Sequence, residues 1–133
     1  MDLAEDMYQE EILELYRSPN NFGSIKNAEI AYKDYNPVCG DEVEIFVKLD
    51  GDVVDCVKFN GRGCAISQAS ASKLTDFIKG KNLVHLKKIS SNDVLKLLPI
   101  KVSYLRIKCA LLAFKALQKG MLMYQGRLAE ASG

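Results

Sequence analysis

Asp41-Glu42-Val43-Glu44-Ile45-Phe46-Val47-Lys48-Leu49-Asp50-Gly51-Asp52-Val53-Val54-Asp55-Cys56-Val57-Lys58-Phe59 is the stretch on which the fold turns. Val43, Ile45 and Val47 recur at every second residue, and Val53, Asp55, Val57 and Phe59 repeat that period after Asp50-Gly51-Asp52. Side chains of a strand point alternately to opposite faces, so this period predicts two strands. The Asp-Gly-Asp run predicts the turn that joins them as a hairpin.

Moving outward, residues 29–33 are expected to form a short strand that leads into the loop Asn36-Pro37-Val38-Cys39-Gly40-Asp41. On the other side, Gly61 and Gly63 break the second hairpin strand, and residues 65–79 then predict a helix ended by Gly80. Its small residues, among them Ala65, Ser67, Ala69 and Ser70, would let another backbone pack closely. Near the N-terminus Met7, Tyr8, Ile12, Leu15 and Tyr16 recur at helical spacing, stopping at Ser18-Pro19. Residues 82–100 read as a weaker helical stretch, with Ser91 or Asn92 as a cap before Val94, Leu95, Leu97 and Leu98. A long helix is expected from Leu105 or Lys108 to Leu128, with Leu112, Ala113, Ala116 and Leu117 as its buried stripe. The fold class is therefore α+β: a small antiparallel three-stranded sheet with helices packed mainly on one face, in one domain over residues 1–133.

A 133-residue domain buries roughly two thirds of its surface and needs no staples to fold. Eighteen Lys plus Arg against seventeen Asp plus Glu leave the net charge near zero, and the basic residues are scattered. Neither nucleic acid nor an anionic membrane is thus expected as a partner. No apolar run reaches the length of a membrane span, and Met1-Asp2-Leu3-Ala4-Glu5-Asp6 is acidic where a secretory signal is basic. The expectation is a cytoplasmic protein, in which four cysteines are thiols, ligands or nucleophiles rather than a disulfide framework. A homo-oligomer stays open.

Three of the cysteines, Cys39, Cys64 and Cys109, sit where loops meet regular elements, and two lie in glycine-framed runs, Cys39-Gly40 and Gly61-Arg62-Gly63-Cys64. They are separated by 24 and then 44 residues, so only a folded domain brings them together, unlike the close Cys pairs of a zinc knuckle. Soft thiolates select zinc, copper(I) or an iron–sulfur cluster. Asp41, two residues after Cys39, either adds a hard carboxylate ligand or is a turn former after Gly40. Cys64 is read at a helix N-terminus and Cys109 near the start of the last helix, where partial positive charge favours a thiolate. Arg106 and Lys108 are either solvated or stabilise such thiolates. Cys56, mid-strand and without glycine framing, is read as core, and His85, the single histidine, as a surface residue.

Taken together, Asn36-Pro-Val-Cys39-Gly-Asp41, Gly61-Arg-Gly-Cys64-Ala-Ile-Ser-Gln-Ala-Ser-Ala-Ser72 and Arg106-Ile-Lys-Cys109-Ala resemble the three ligand segments of the iron–sulfur cluster assembly scaffolds, the IscU/SufU/NifU N-terminal family. The resemblance extends from Tyr16-Arg-Ser-Pro-Asn20 nearly to the C-terminus. It implies that Cys39, Asp41, Cys64 and Cys109 form the site, and that a cysteine desulfurase supplies sulfur. It implies further that a [2Fe–2S] cluster built there passes to recipient apo-proteins, the chain being a carrier rather than an enzyme.

Two departures refine that expectation. The IscU branch has histidine immediately before its third cysteine, whereas Lys108 stands here, and a protonated lysine has no lone pair to donate. Asp41 thereby becomes the leading fourth ligand. The Leu-Pro-Pro-Val-Lys chaperone-recognition run of that branch is replaced by Val102-Ser-Tyr-Leu-Arg106, so dependence on a dedicated Hsp70-type chaperone is not implied. Arg106-Ile-Lys-Cys-Ala instead resembles the SufU branch, which holds zinc and accepts persulfide sulfur, yet the insertion of that branch between its second and third cysteines is missing. Cluster scaffold is the leading expectation, with iron as its metal and Cys109 as persulfide acceptor. A zinc-bound sulfurtransferase partner is the alternative, and a purely structural metal the third reading.

Overall fold

The computed structural model describes residues 9–132. Its centre is the hairpin of β2 (Asp41–Asp50) and β3 (Val53–Arg62), to which β1 (Ile30–Asn36) adds on the outer side of β2. All pairings are antiparallel and the order is β1-β2-β3. Residue pairs such as Ile30 with Val47 and Ile45 with Phe59 stack apolar side chains across the ladders. Along β2, Val43, Ile45, Val47 and Leu49 are buried, as the alternation requires. β1 runs three residues beyond the expected strand, up to the loop of Cys39.

The period-two reading of β3 fails at its start. Val53 is exposed and Val54 is buried, because the register shifts between Lys48 and Leu49: Lys48 faces Cys56 while Leu49 faces Val54. Asp55 is the extra residue of a β-bulge, which resets the alternation so that Val57 and Phe59 rejoin the buried face.

Helix α1 (Glu10–Arg17) buries Ile12 and Leu15, while Tyr16 is exposed and lines a cleft with Phe22 and Arg62. Met7 and Tyr8 lie outside the described residues. Helix α2 (Ala65–Ile78) is buried along most of its length, which its run of alanines and serines permits, and Gly80 follows with a φ of +78°. The weaker helical stretch over residues 82–100 consists of two short helices, α3 (Leu83–Lys88) and α4 (Ser91–Leu95), with Asn82 and Ser90 as N-caps. Ser90 wins over Ser91 and Asn92 because Asp93, three residues on, completes a capping box with it. The long C-terminal helix is also divided. A 3-10 turn (Tyr104–Arg106) leads to the four-residue α5 (Ile107–Ala110), a break falls at Leu111, and α6 (Leu112–Ser132) follows.

The fold is α+β, with α2 and α6 packed on the buried face of the sheet. Two apolar clusters result. The larger joins the sheet to α2 and α6; the smaller joins α1, the N-terminal half of α2, Leu98 and α5, and it contains Cys109. Among the described residues no helix is long and apolar enough to cross a membrane.

Candidate metal centre

Three chain segments deliver the site. The β1–β2 connection is a tight turn in which Gly40 N–H donates to the Asn36 carbonyl at 2.8 Å and Val38 N–H to Asn36 Oδ1 at 3.1 Å, with Gly40 at φ +73°. That turn lifts Cys39 onto an exposed tip. Asn36 Nδ2 lies 3.4 Å from Cys39 Sγ, where it donates to the sulfur. Asp41 opens β2 and is only 2% exposed. Cys64 is the N-cap of α2, half-buried. Cys109 sits in α5 and is 1% exposed, its segment tied to α2 by Ser70 Oγ donating to the Ala110 carbonyl at 2.5 Å.

The fold brings these side chains together. Cys39 Sγ and Cys109 Sγ are 3.2 Å apart, and ligand atoms of Cys39, Asp41 and Cys109 all lie within 4.8 Å of one another. Cys64 joins from the side of Asp41: its backbone N–H donates to Oδ1 at 3.0 Å, and its Sγ lies 3.5 Å from Oδ2. No disulfide links these thiols. Cys56 faces Lys48 on β3, and His85 lies exposed on α3. Neither belongs to the cluster of metal-ligating groups found among the described residues.

Charge around the thiols differs in part from the sequence expectation. Burial, together with hydrogen bonding to Cys39, the charge of Cys64 and bonding to Asp41, pushes the Cys109 thiol above its ordinary range. The thiolate-favouring helix end expected there is missing, because the break at Leu111 leaves Cys109 in a four-residue helix with little dipole of its own. Arg106 does reach the site. Partial desolvation opposes its charge, but hydrogen bonding to Cys109 and the charges of Cys64, Cys109 and Cys39 outweigh it and raise its pKa. Lys108 is exposed beside Tyr104 and Leu105.

The donor set suits a thiophilic ion. A tetrahedral zinc with bonds of about 2.3 Å to sulfur holds its sulfurs about 3.8 Å apart, so Cys39 and Cys109 need to part only slightly to share one. Iron of a cluster accepts the same thiolates, and Asp41 Oδ2 supplies a harder oxygen. Sequence reasoning gave Asn36 no positioning role, read Gly63 only as a strand breaker framing Cys64, and read Ser70 only as a small residue for close packing. Asn36 had a legible signal, an Asn-Pro turn three residues before a cysteine; the other two act through space that a sequence does not display.

Residues 7–131 match the family model for the NifU-like N terminal domain. The chain belongs to this family. Among curated relatives, the zinc-dependent sulfurtransferase SufU of Bacillus subtilis is 37% identical, with 92% of this chain and 94% of that protein aligned. The alignment spans 139 positions, more than this chain's whole length, so it contains positions that the chain leaves as gaps. The iron–sulfur cluster assembly scaffold protein IscU of Escherichia coli is 30% identical over 90% of this chain and 95% of its own. A crystal structure described as a candidate iron–sulfur cluster assembly scaffold for the SUF system of Fervidobacterium islandicum superposes with a TM-score of 0.73 at 32% identity, covering 88% of this chain and 98% of that one.

Proposed function

We propose that this protein is a scaffold on which a [2Fe–2S] cluster is assembled from iron and desulfurase-derived sulfur, then passed to recipient apo-proteins in the cytoplasm. One observation carries the reading: three thiols and one carboxylate from three separate segments converge beside an exposed tip. A closed structural zinc would bury all its ligands, whereas cargo that must enter and leave needs an accessible edge. Cys39 supplies that edge, Cys64 and Cys109 anchor the cargo, and Asp41 is the exchangeable fourth ligand.

Sulfur delivery follows from thiol exchange. A thiolate of the site attacks the outer sulfur of a cysteine persulfide on the desulfurase; a new S–S bond forms and the desulfurase cysteine departs as a thiolate. Burial of Cys109 at 1% exposure favours Cys39 over Cys109 as the first acceptor, with Cys109 3.2 Å away to receive sulfur second. Arg106 stabilises the negative charge that develops on sulfur there.

A second reading has its own support: identity to the zinc-dependent SufU sulfurtransferase, together with Lys108 at the position before the third ligand cysteine. In that case the same four side chains hold a resident zinc, and the protein relays persulfide sulfur. Purification without oxygen, followed by metal analysis and a visible spectrum, separates the two. Iron and sulfide with cluster absorption support the scaffold. One zinc per chain, no cluster after reconstitution, and sulfur transfer from a desulfurase support the relay. Neither metal nor sulfur bound would overturn both.

A further inference from the structure

We infer that Gly63 is a positioning residue for Asp41: lacking a Cβ, it leaves the space in which the Cys64 backbone N–H clamps Asp41 Oδ1, so that only Oδ2 faces the thiols and a bound metal. This rests on the proposed role of Asp41 as a ligand. Backbone conformation gives no reason for glycine at this position. Gly40, Gly51 and Gly80 have positive φ and open space around them, whereas Gly63 has no positive φ and is crowded. A Cβ on Gly63 would stand 2.7 Å from Asp41 Oδ1, 2.8 Å from Asp41 Cγ and 2.6 Å from Ser67 Oγ. The serine hydroxyl, which donates to the Cys64 carbonyl at 3.0 Å, is the end of a short side chain and can rotate away. Asp41 cannot give way as easily, being 2% exposed and bonded through Oδ1 to Cys64 N–H at 3.0 Å.

The clamp decides how the carboxylate binds. With Oδ1 engaged by a backbone donor, Asp41 offers a single oxygen, so it binds through one bond and is the weakest of the four ligands. When that bond breaks, the carboxylate stays where the N–H holds it, and rebinding needs no search of rotamers. Partners of this kind, one step behind a ligand, set its orientation and commonly alter metal affinity about 10–100-fold.

Cobalt(II), a spectroscopic stand-in for zinc, tests this in the intact chain. Gly63→Ala is expected to weaken cobalt binding about tenfold or more. It should keep the thiolate-to-cobalt charge-transfer bands and shift the d–d bands to those of Asp41→Ala. In the Asp41→Ala background the added methyl enters vacated space, so Gly63→Ala should cost no further affinity and the double variant should fold like Asp41→Ala alone. That double variant carries the test if Gly63→Ala does not fold. Wild-type d–d bands and affinity in Gly63→Ala, an equal loss in both backgrounds, or rescue of Gly63→Ala by Ser67→Ala would each overturn the inference while leaving Asp41 as a ligand. Should Asp41→Ala itself bind cobalt with an unchanged spectrum, the proposed ligand set fails as well.

Discussion

Replacing Cys39, Cys64 or Cys109 by serine exchanges a soft thiolate for a poor ligand, while replacing Cys56 touches only a half-buried strand position. Each of the first three variants is therefore expected to lose most of its zinc, or of its reconstituted iron, by elemental analysis, and Cys56→Ser to retain it. Wild-type metal content in all three would remove the site. A second residue-scale outcome concerns Gly61, at φ +144° and with Glu42 O only 2.2 Å from where a Cβ would stand. Gly61→Ala combines backbone strain with a backbone clash, so a loss of about 3 kcal/mol or more in urea unfolding is expected. Loops framed by glycine made Cys39 and Cys64 legible in the sequence, and the resemblance of Arg106-Ile-Lys-Cys109-Ala to a ligand segment of the family added Cys109. The clamp on Asp41 was not legible: it is made by a backbone N–H 23 residues away and by an absent side chain.

At the scale of elements, α5 owes its position to α2. Ser70→Ala removes the hydroxyl bonded to the Ala110 carbonyl inside the smaller core, leaving a buried acceptor without its donor. About 1–3 kcal/mol of stability should be lost, and metal affinity should fall with it, because Cys109 is on the same short helix. An unchanged affinity would mean that α5 holds its place by packing alone. By contrast Ser90→Ala, which breaks the capping box of α4, should cost about 1 kcal/mol and leave metal binding unchanged. The hairpin was legible because alternation in β2 is unbroken over Val43, Ile45, Val47 and Leu49. The bulge was not, since Val53 and Val54 are both valine and composition cannot say which of them faces inward. The break at Leu111 was hidden for a similar reason: Ala110, Leu111 and Leu112 are good helix formers, and nothing in their own preferences marks an interruption.

Across the whole molecule, the two apolar clusters differ in what depends on the site. The larger one closes the sheet against α2 and α6 through Ile45, Val47, Phe59, Leu74 and Leu117, none of which supplies or adjoins a metal ligand. The smaller one includes Cys109 and packs on Cys64, so a metal bound to both links α5 to the N-terminus of α2 and, through Cys39 and Asp41, to the β1–β2 turn. An ion that binds the folded state alone adds stability by mass action, and it does so where its ligands are. Removing zinc from the loaded protein with a chelator should therefore leave the hairpin folded and loosen the ligand-bearing end. In hydrogen exchange, amide protection is expected to fall at residues 36–41, 64–68 and 104–111, and to hold at residues 43–49 and 57–59. A uniform loss across both groups would mean that metal and fold form a single cooperative unit. No loss at the first group would mean that the three segments are held by packing without the ion.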